Sequence, residues 1–117
     1  MPYMLMIMEP PTQRAERGLE AGKRVYQEML DWGAGLKDRG LLLAGESLAS
    51  STKGVRVQKR DGRQSLVDGP FAEAKEMIGG FFLIDCATRD EAVAIAGTCP
   101  AAEWCTVEVR ELAPCWA

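Results

Sequence analysis

The sequence contains no histidine. Histidine is the side chain whose ordinary pKa lies near neutrality, and catalytic triads of the Ser-His-Asp or Cys-His type depend on it. Such triads cannot be built from these residues. Any acid–base chemistry must therefore use a carboxylate, a tyrosine, a lysine or a thiol whose environment adapts it to the task.

Close cysteine pairs are also missing. The four cysteines are Cys86, Cys99, Cys105 and Cys115, and no two of them form a CxxC motif. Zinc sites draw on closely spaced cysteine and histidine ligands, so we predict no metal site, and we predict no cofactor. Nothing in the sequence indicates secretion. We therefore expect free thiols, with Cys115 as the most exposed of them.

Long apolar runs and an excess of positive charge are absent as well. No run reaches the roughly 18 residues that a membrane-spanning helix requires, and the apolar start MPYMLMIM lacks the features of a signal peptide. The net charge of -3 gives no attraction to phosphate backbones. We expect a cytoplasmic protein that binds neither membranes nor nucleic acids, and 117 residues suit one domain, 1–117.

Short apolar runs and alternating apolar residues predict six strands. The predicted strands cover residues 3–8, 41–48, 55–59, 64–67, 80–86 and 105–112. Residues 3–8 and 80–86 are apolar on both alternating faces, which is typical of strands in the middle of a sheet. The Asp61-Gly62 step predicts a hairpin turn between two strands that have one exposed face. Gly45 predicts a bulge in the second strand.

Two helices are predicted. Residues 19–39 carry an apolar stripe at helical spacing. Its members are Val25, Met29, Trp32 and Leu36. Gly33 and Gly35 indicate close packing against the sheet or a break near the end of this helix. Thr88 and Glu91 form a capping box at the start of the second helix.

The order of elements, β-α-β-hairpin-β-α-β, fits an α+β fold of the ferredoxin-like kind, with two helices on one face of an antiparallel sheet. Two helices cover only one face, whereas residues 3–8 and 80–86 are apolar on both. We expect the same sheet of a second copy to cover the other face. The sequence therefore predicts a homodimer through sheet-on-sheet packing.

The most distinctive segment is DGPFAEAKE at residues 68–76, followed by GGFFLID at residues 79–85. Together with LLAGESL at residues 42–48 and TVEVREL at residues 106–112, it resembles the DGPF-type members of the YCII-related family. The resemblance covers nearly the whole chain, and it implies a ferredoxin-like fold and a dimeric α/β barrel. Members of that family tend to carry a His–Asp pair in a cleft, of which only Asp68 has a counterpart here.

Three functions are open at this point. The first is binding of a small polar or aromatic molecule in a cleft near Asp68. The family resembles muconolactone-isomerase-like proteins and has members linked to lyase or dehydrochlorinase chemistry, which implies an isomerase or lyase that uses Asp68 as acid or base. Genes of the DGPF type often neighbour those of extracytoplasmic-function sigma factors, which implies a regulatory role with a sigma factor as partner.

Asp68 and Glu46 are the candidate catalytic residues. Asp68 would act as a base in a cleft, or it would accept hydrogen bonds from backbone amides and fix the turn at Gly69-Pro70. Glu46 would reach the same cleft from a neighbouring strand, and a carboxylate pair there would supply acid and base together. The structural alternative for Glu46 is a salt bridge to an arginine.

The candidate ligand-binding residues are Tyr3, Phe71 and Glu73. Tyr3 would donate a hydrogen bond to a ligand or to its own fold. Phe71 would line the cleft or anchor its loop to the core. Glu73 lies on a predicted helical turn, where it would pair with Lys75, help Asp68 to hold a cation, or belong to a solvated surface.

Overall fold

The computed structural model describes residues 2–117, which form a four-stranded sheet, a separate hairpin and three α-helices. The strands are β1 Pro2–Glu9, β2 Leu42–Ser47, β3 Val55–Arg60, β4 Arg63–Asp68, β5 Met77–Asp85 and β6 Thr106–Glu111. The helices are α1 Gln13–Arg17, α2 Leu19–Asp38 and α3 Arg89–Gly97. This is the predicted α+β class, with one short helix, α1, that was not predicted. Within residues 2–117, no helix combines the length and the apolar character needed to cross a membrane.

The main sheet has the strand order β2-β5-β1-β6, and every neighbouring pair is antiparallel. β1 and β5 lie in its middle, as their two apolar faces predict. The sheet is open, with β2 and β6 at its edges. The single chain therefore forms no barrel, and a barrel would require a second copy.

The helices cover one face of this sheet. Leu5 of β1, Ile84 of β5 and Leu36 of α2 are fully enclosed there, in a core that alternate residues of β1 extend. Leu36 confirms the apolar stripe of α2 at its carboxyl end. The stripe is only half-buried at Val25 and Met29, because the first turns of α2 stand away from the sheet.

Two glycines let the backbone approach the ring of Phe82. A Cβ atom at Gly33 would lie 3.2 Å from that ring, and one at Gly45 would lie 2.9 Å from it. Gly33 therefore marks close packing, as predicted, and α2 runs unbroken to Asp38. The bulge predicted for β2 is present as a register shift, but it lies between Leu42 and Ala44 and not at Gly45. Gly45 instead makes room for the aromatic ring.

The other face of the main sheet has no cover within the described chain. Residues directly opposite each other in neighbouring strands share a face. On this uncovered face, the strand pairing places side chains in two rows. One row contains Glu46, Phe81, Met6 and Glu108, and the other contains Ala44, Leu83, Met4 and Arg110. The apolar members of both rows in β1 and β5 are only half-buried. We call the surface formed by Met4, Met6, Met8, Phe81 and Leu83 the open face.

The β3–β4 hairpin stands apart from the main sheet. Asp61 and Gly62 have φ values of 52° and 74°, the left-handed geometry of a two-residue hairpin turn, which confirms the predicted turn. Every residue of both strands is exposed. The expectation of a single exposed face is therefore wrong, because neither the main sheet nor a helix buries either side of the hairpin.

Candidate functional site

A cavity of about 990 Å³ lies between α2 and the main sheet. Its walls are largely apolar and come from the whole length of α2 and from the helix-facing side of the sheet. Ile7, Val25, Met29, Leu30 and Phe82 are among the lining residues. Small-molecule sites in proteins occupy roughly 300 to 1,000 Å³ and have mostly apolar walls. This main cavity therefore has the size and the lining of a binding site.

One end of the main cavity is formed by a buried ion pair. Glu9, the last residue of β1, is 3% exposed. Arg14 Nε donates a hydrogen bond to Glu9 Oε1 at 2.6 Å, and Arg14 Nη2 donates to the carbonyl of Gly79 at 3.3 Å. A Cβ atom at Gly79 would lie 2.5 Å from Glu9 Oε1. Glycine at position 79 therefore leaves the space that the ion pair occupies.

The same end of the cavity holds an indole ring and a second guanidinium. The Arg17 guanidinium lies 4.5 Å from the centre of the Trp104 ring, a cation–π distance. Trp104 Nε1 is buried and has no hydrogen-bond partner within residues 2–117. The same holds for Gln13 Oε1, although Gln13 Nε2 donates to the Trp104 carbonyl. A buried polar atom without a partner costs free energy, so both atoms are destabilising in this structure.

The charged residues around the main cavity are mostly cationic. Four cations line it, Arg14, Arg17, Lys23 and Lys37. Glu9 supplies a carboxylate, whereas Glu46, the other acidic lining residue, has its side chain on the open face. The side chains of the lining thus have an excess of three positive charges on a chain whose net charge is -3. Because Glu9 neutralises Arg14, the excess belongs to the remaining cations. A concave site with an excess of one sign attracts molecules of the other sign.

Sequence reasoning did not single out Glu9, Arg14, Arg17 or Trp104. One signal for Glu9 was present, because the residue continues the buried alternation of Tyr3, Leu5 and Ile7 along β1. A carboxylate at a buried strand position requires a partner. The identity of that partner depends on the path of the chain after β1, which alternation does not reveal.

The structure does not bring the predicted cleft together. Asp68 is exposed at the end of β4, and it lines neither the main cavity nor a second cavity of about 430 Å³ beside the hairpin. Glu46 contributes to the wall of the main cavity, but its register opposite Phe81 places its side chain on the open face. Within residues 2–117 it forms no ion pair with an arginine. Asp68 and Glu46 therefore belong to different sheets, and neither cavity brings their carboxylates together.

The turn after Asp68 is fixed by the backbone of residues 51–54. The amide of Gly69 donates to the carbonyl of Gly54 at 2.8 Å. A Cβ atom at Gly69 would lie 1.8 Å from the carbonyl oxygen of Ser51. Within the described chain, no backbone amide donates to the Asp68 carboxylate as the turn hypothesis requires. The DGPF segment therefore closes the base of the hairpin through Gly69.

Phe71 and Glu73 lie together at the hairpin, where Phe71 lines the second cavity. The Arg56 guanidinium lies 3.8 Å from the centre of the Phe71 ring and forms an ion pair with Glu73. A backbone hydrogen bond and the Arg56 side chain hold the pKa of Glu73 below its ordinary value. Residues 72 and 73 form a turn and no helix. Glu73 thus pairs with Arg56 instead of Lys75, and Phe71 anchors its loop to the hairpin instead of the core.

Tyr3 lies in the core and lines neither cavity. Its side chain is buried against the helix-covered face of the sheet. Burial raises the pKa of the Tyr3 phenol, and the carboxylate of Glu111 acts in the same direction. The structure therefore gives Tyr3 a place in the fold, away from the cavity that could hold a ligand.

Comparison with known proteins agrees with the resemblance in the sequence. The family model of the YCII-related domain matches residues 1–115. The chain belongs to the YCII-related family. It is 37% identical over 84 residues to an uncharacterised protein of Rhizobium meliloti (strain 1021). That match covers 72% of this YCII-related chain and 60% of the relative, so the chain spans less than two thirds of the relative's length.

Within residues 2–117 of this YCII-related protein, Cys99, Cys105 and Cys115 are free thiols. Cys86 and Cys99 are buried, Cys105 is half-buried and Cys115 is exposed. Burial raises the pKa of the Cys86 and Cys99 thiols, and it raises the pKa of Cys105 to about 11. The thiolate is the reactive form of cysteine. The three inner thiols are therefore poor nucleophiles in the folded protein.

We expect one fast thiol and three slow thiols when the folded protein reacts with a disulfide reagent at pH 8. Cys115→Ser removes the fast phase, and denaturant makes all remaining thiols fast. The unfolded thiols ionise near pH 9, below the folded-state pKa of about 11 for Cys105, so the free energy of unfolding falls as the pH rises through this window. Any fast thiol in the folded Cys115→Ser variant would contradict the burial of the other three cysteines.

Proposed function

We propose that this YCII-related protein binds a small organic acid with an apolar body in the main cavity. The observation that carries this proposal is an apolar cavity with an excess of cations on an acidic chain. The apolar body replaces water against Ile7, Met29 and Phe82, which stabilises the complex by the hydrophobic effect. The acidic group lies towards the cations at the edge of the cavity.

The polar end of the cavity supports an acidic ligand group in a second way. Arg17 and Trp104 both line the cavity, and the Arg17 guanidinium lies 4.5 Å from the centre of the Trp104 ring. A guanidinium carries a positive charge and donates hydrogen bonds, whereas a carboxylate or sulfonate oxygen accepts hydrogen bonds and donates none, so the two match.

The proposal is one of binding without turnover. An isomerase or lyase needs an acid or base within hydrogen-bond reach of its substrate. In the single chain, Asp68 lies on the hairpin, the side chain of Glu46 belongs to the open face, and Glu9 is held by Arg14. These positions favour a site that holds its ligand over one that moves a proton on it.

We also propose that the protein has a ferredoxin-like arrangement and assembles as a homodimer through the open face. The strand order β2-β5-β1-β6 supports the first part, because it places β1 and β5 side by side in the middle of the sheet. The half-exposed methionines of β1 and the side chains of Phe81 and Leu83 support the second part. A second sheet packed on them would bury a continuous apolar surface.

Two matched variants of α2 test the ligand site with the aromatic sulfonate 1-anilinonaphthalene-8-sulfonate as a probe. Gly22 lines the main cavity and has nothing within 4 Å of an added Cβ, whereas Gly35 has the same open space but does not line the cavity. We expect Gly22→Leu to weaken probe binding about tenfold or more, a loss of ~1.4 kcal/mol. Gly35→Leu leaves binding unchanged, and both variants stabilise the helix by under about 1 kcal/mol.

A second pair of variants tests the charge of the site. Lys23 lines the main cavity, and Arg24, its neighbour on α2, does not. Lys23→Glu lowers the affinity for the anionic probe but leaves the affinity for the neutral dye Nile red unchanged, and Arg24→Glu changes neither.

Equal effects of Gly22→Leu and Gly35→Leu on probe binding would show that the probe binds outside the main cavity. Equal effects of Lys23→Glu and Arg24→Glu would overturn the acidic class of ligand.

A further inference from the structure

We propose that the β3–β4 hairpin is a docking arm that binds the acidic body of a second copy of this chain. The arm would add a second contact between the two copies, besides the packing of their open faces. This role does not depend on ligand binding. Four large aliphatic residues of the arm are more than half exposed. They are Val55 at 52%, Val57 at 60%, Leu66 at 60% and Val67 at 56%.

The arm carries this apolar surface on both of its faces. Val57 lies opposite Leu66 on one face, and Val67 lies opposite Arg56 on the other. An isolated two-stranded hairpin is marginally stable in water unless something packs on it. Exposed apolar surface of this kind marks interaction sites. The arm therefore has the composition of an element that is buried in an assembly.

The charge of the arm indicates which partner it takes. The arm, residues 55–68, contains four cations and two carboxylates, a balance of +2. Because the whole chain carries -3, the remaining residues carry -5. Complementary charges steer association and select the partner. A second copy of the chain supplies an acidic body to each arm, and a twofold dimer satisfies both arms at once.

Positive charge is concentrated at the tip of the arm, where its repulsion lowers the stability of the hairpin. Arg60 and Arg63 lie directly opposite each other, with Lys59 beside them. Like charges in this position destabilise a hairpin. Within residues 2–117, none of these three side chains forms an ion pair, and the Arg60 side chain donates to the carbonyl of Lys59. Carboxylates from outside the hairpin would relieve this repulsion.

The acidic margin of the open face provides such carboxylates. Glu46 and Glu108 stand at the two ends of the row that contains Phe81 and Met6, on the edge strands of the sheet. Glu108 is paired with Arg110, whereas Glu46 forms no ion pair within the described residues. A six-residue hairpin is roughly 20 Å long, and packed sheets lie about 10 Å apart. The arm is therefore long enough to reach Glu46 of the partner subunit.

Two charge reversals of equal size test the arm. We expect Arg60→Glu/Arg63→Glu to raise the dimer dissociation constant about tenfold or more, in sedimentation velocity over a dilution series at low salt. The control, Arg24→Glu/Arg39→Glu, makes the same change in net charge at one residue of α2 and at the residue that follows its last turn, and it leaves the dissociation constant within about twofold. High salt reduces the difference between wild type and the arm variant.

A further substitution tests the contact with Glu46. Adding Glu46→Lys to the arm variant recovers dimerisation, and failure of this rescue would overturn Glu46 as the contact. If the wild type is a dimer and the arm variant has the same dissociation constant, the docking arm is wrong but the open-face dimer stands. If the wild type is a monomer, both proposals are wrong. If the arm variant instead loses affinity for duplex DNA while dimerisation is unchanged, the partner is a nucleic acid and the proposal is wrong. The dye-binding result is independent of all these outcomes.

Discussion

Replacement of Arg14 by methionine is expected to lower the free energy of unfolding by about 3 kcal/mol. The side chain of Glu9 is only 4% exposed, and Arg14 is the residue that pairs with it. Without the guanidinium, the carboxylate stays in a buried place with no opposite charge. Loss of one partner of a buried ion pair is strongly destabilising, and the partial exposure of Arg14, 34%, places the expected effect at the lower end of the known range.

Urea unfolding followed by circular dichroism measures this effect, and the chain offers a matched control. Arg110 and Glu108 form a pair with the same atoms at 2.8 Å, but their side chains are 71% and 41% exposed. Arg110→Met therefore costs less than about 1 kcal/mol. The double variant Glu9→Met/Arg14→Met recovers most of the lost stability, because apolar residues of similar volume replace a buried pair at little cost. Equal losses for Arg14→Met and Arg110→Met would contradict the burial of the pair at Glu9.

Replacement of Met6 by aspartate is expected to convert the proposed open-face dimer to a monomer. Met6 lies in the middle of the open face, opposite Phe81 on one side and Glu108 on the other. A carboxylate there would be buried in an apolar interface, close to Glu108, and near its own copy across a twofold axis. We expect the dissociation constant to rise about a hundredfold or more, which corresponds to ~2.7 kcal/mol.

Light scattering coupled to gel filtration at micromolar concentration measures the change of mass. The control is Val93→Asp, which introduces the same charge at an apolar, 45% exposed position of α3, away from the open face. Val93→Asp remains dimeric, and both variants keep the circular dichroism spectrum of the wild type. A folded Met6→Asp variant that is still dimeric would show that the open face is not the interface.

The elements that sequence patterns predicted well are those that neighbouring residues decide. Thr88 Oγ1 accepts a hydrogen bond from the amide of Glu91 at 3.2 Å, as a capping box requires. Glu91 Oε2 reaches back to the amide of Ala87, one residue before the N-cap, at 2.8 Å. The hairpin turn and the central position of β1 follow from equally short patterns. Local rules were sufficient for the capping interaction and the hairpin turn because the partners are only a few residues apart, and for β1 because its two apolar faces are visible within eight residues.

The candidate site was harder to predict because it joins distant parts of the chain. Arg14 donates to Gly79, 65 residues away, and Gln13 donates to Trp104, 91 residues away. No local pattern contains such pairs. The distinctive DGPF segment drew attention to Asp68, whereas the structure explains the segment by the close approach of Gly69 to Ser51. Isomerase or lyase activity and a sigma-factor partner stay predictions from the family resemblance.

The uneven attachment of α2 has a consequence for ligand selectivity. Its buried residues, Gly33 and Leu36, lie in the second half of the helix, whereas Leu19 and Tyr26 in the first half are 71% and 53% exposed. The first half of α2, which forms one wall of the main cavity, is thus held by fewer buried residues than the second half, and a small tilt of this half would change the cavity volume while Leu36 stays in the core. For the proposed acid-binding site we therefore expect apolar bodies of widely different size to be accepted, with discrimination mainly by charge.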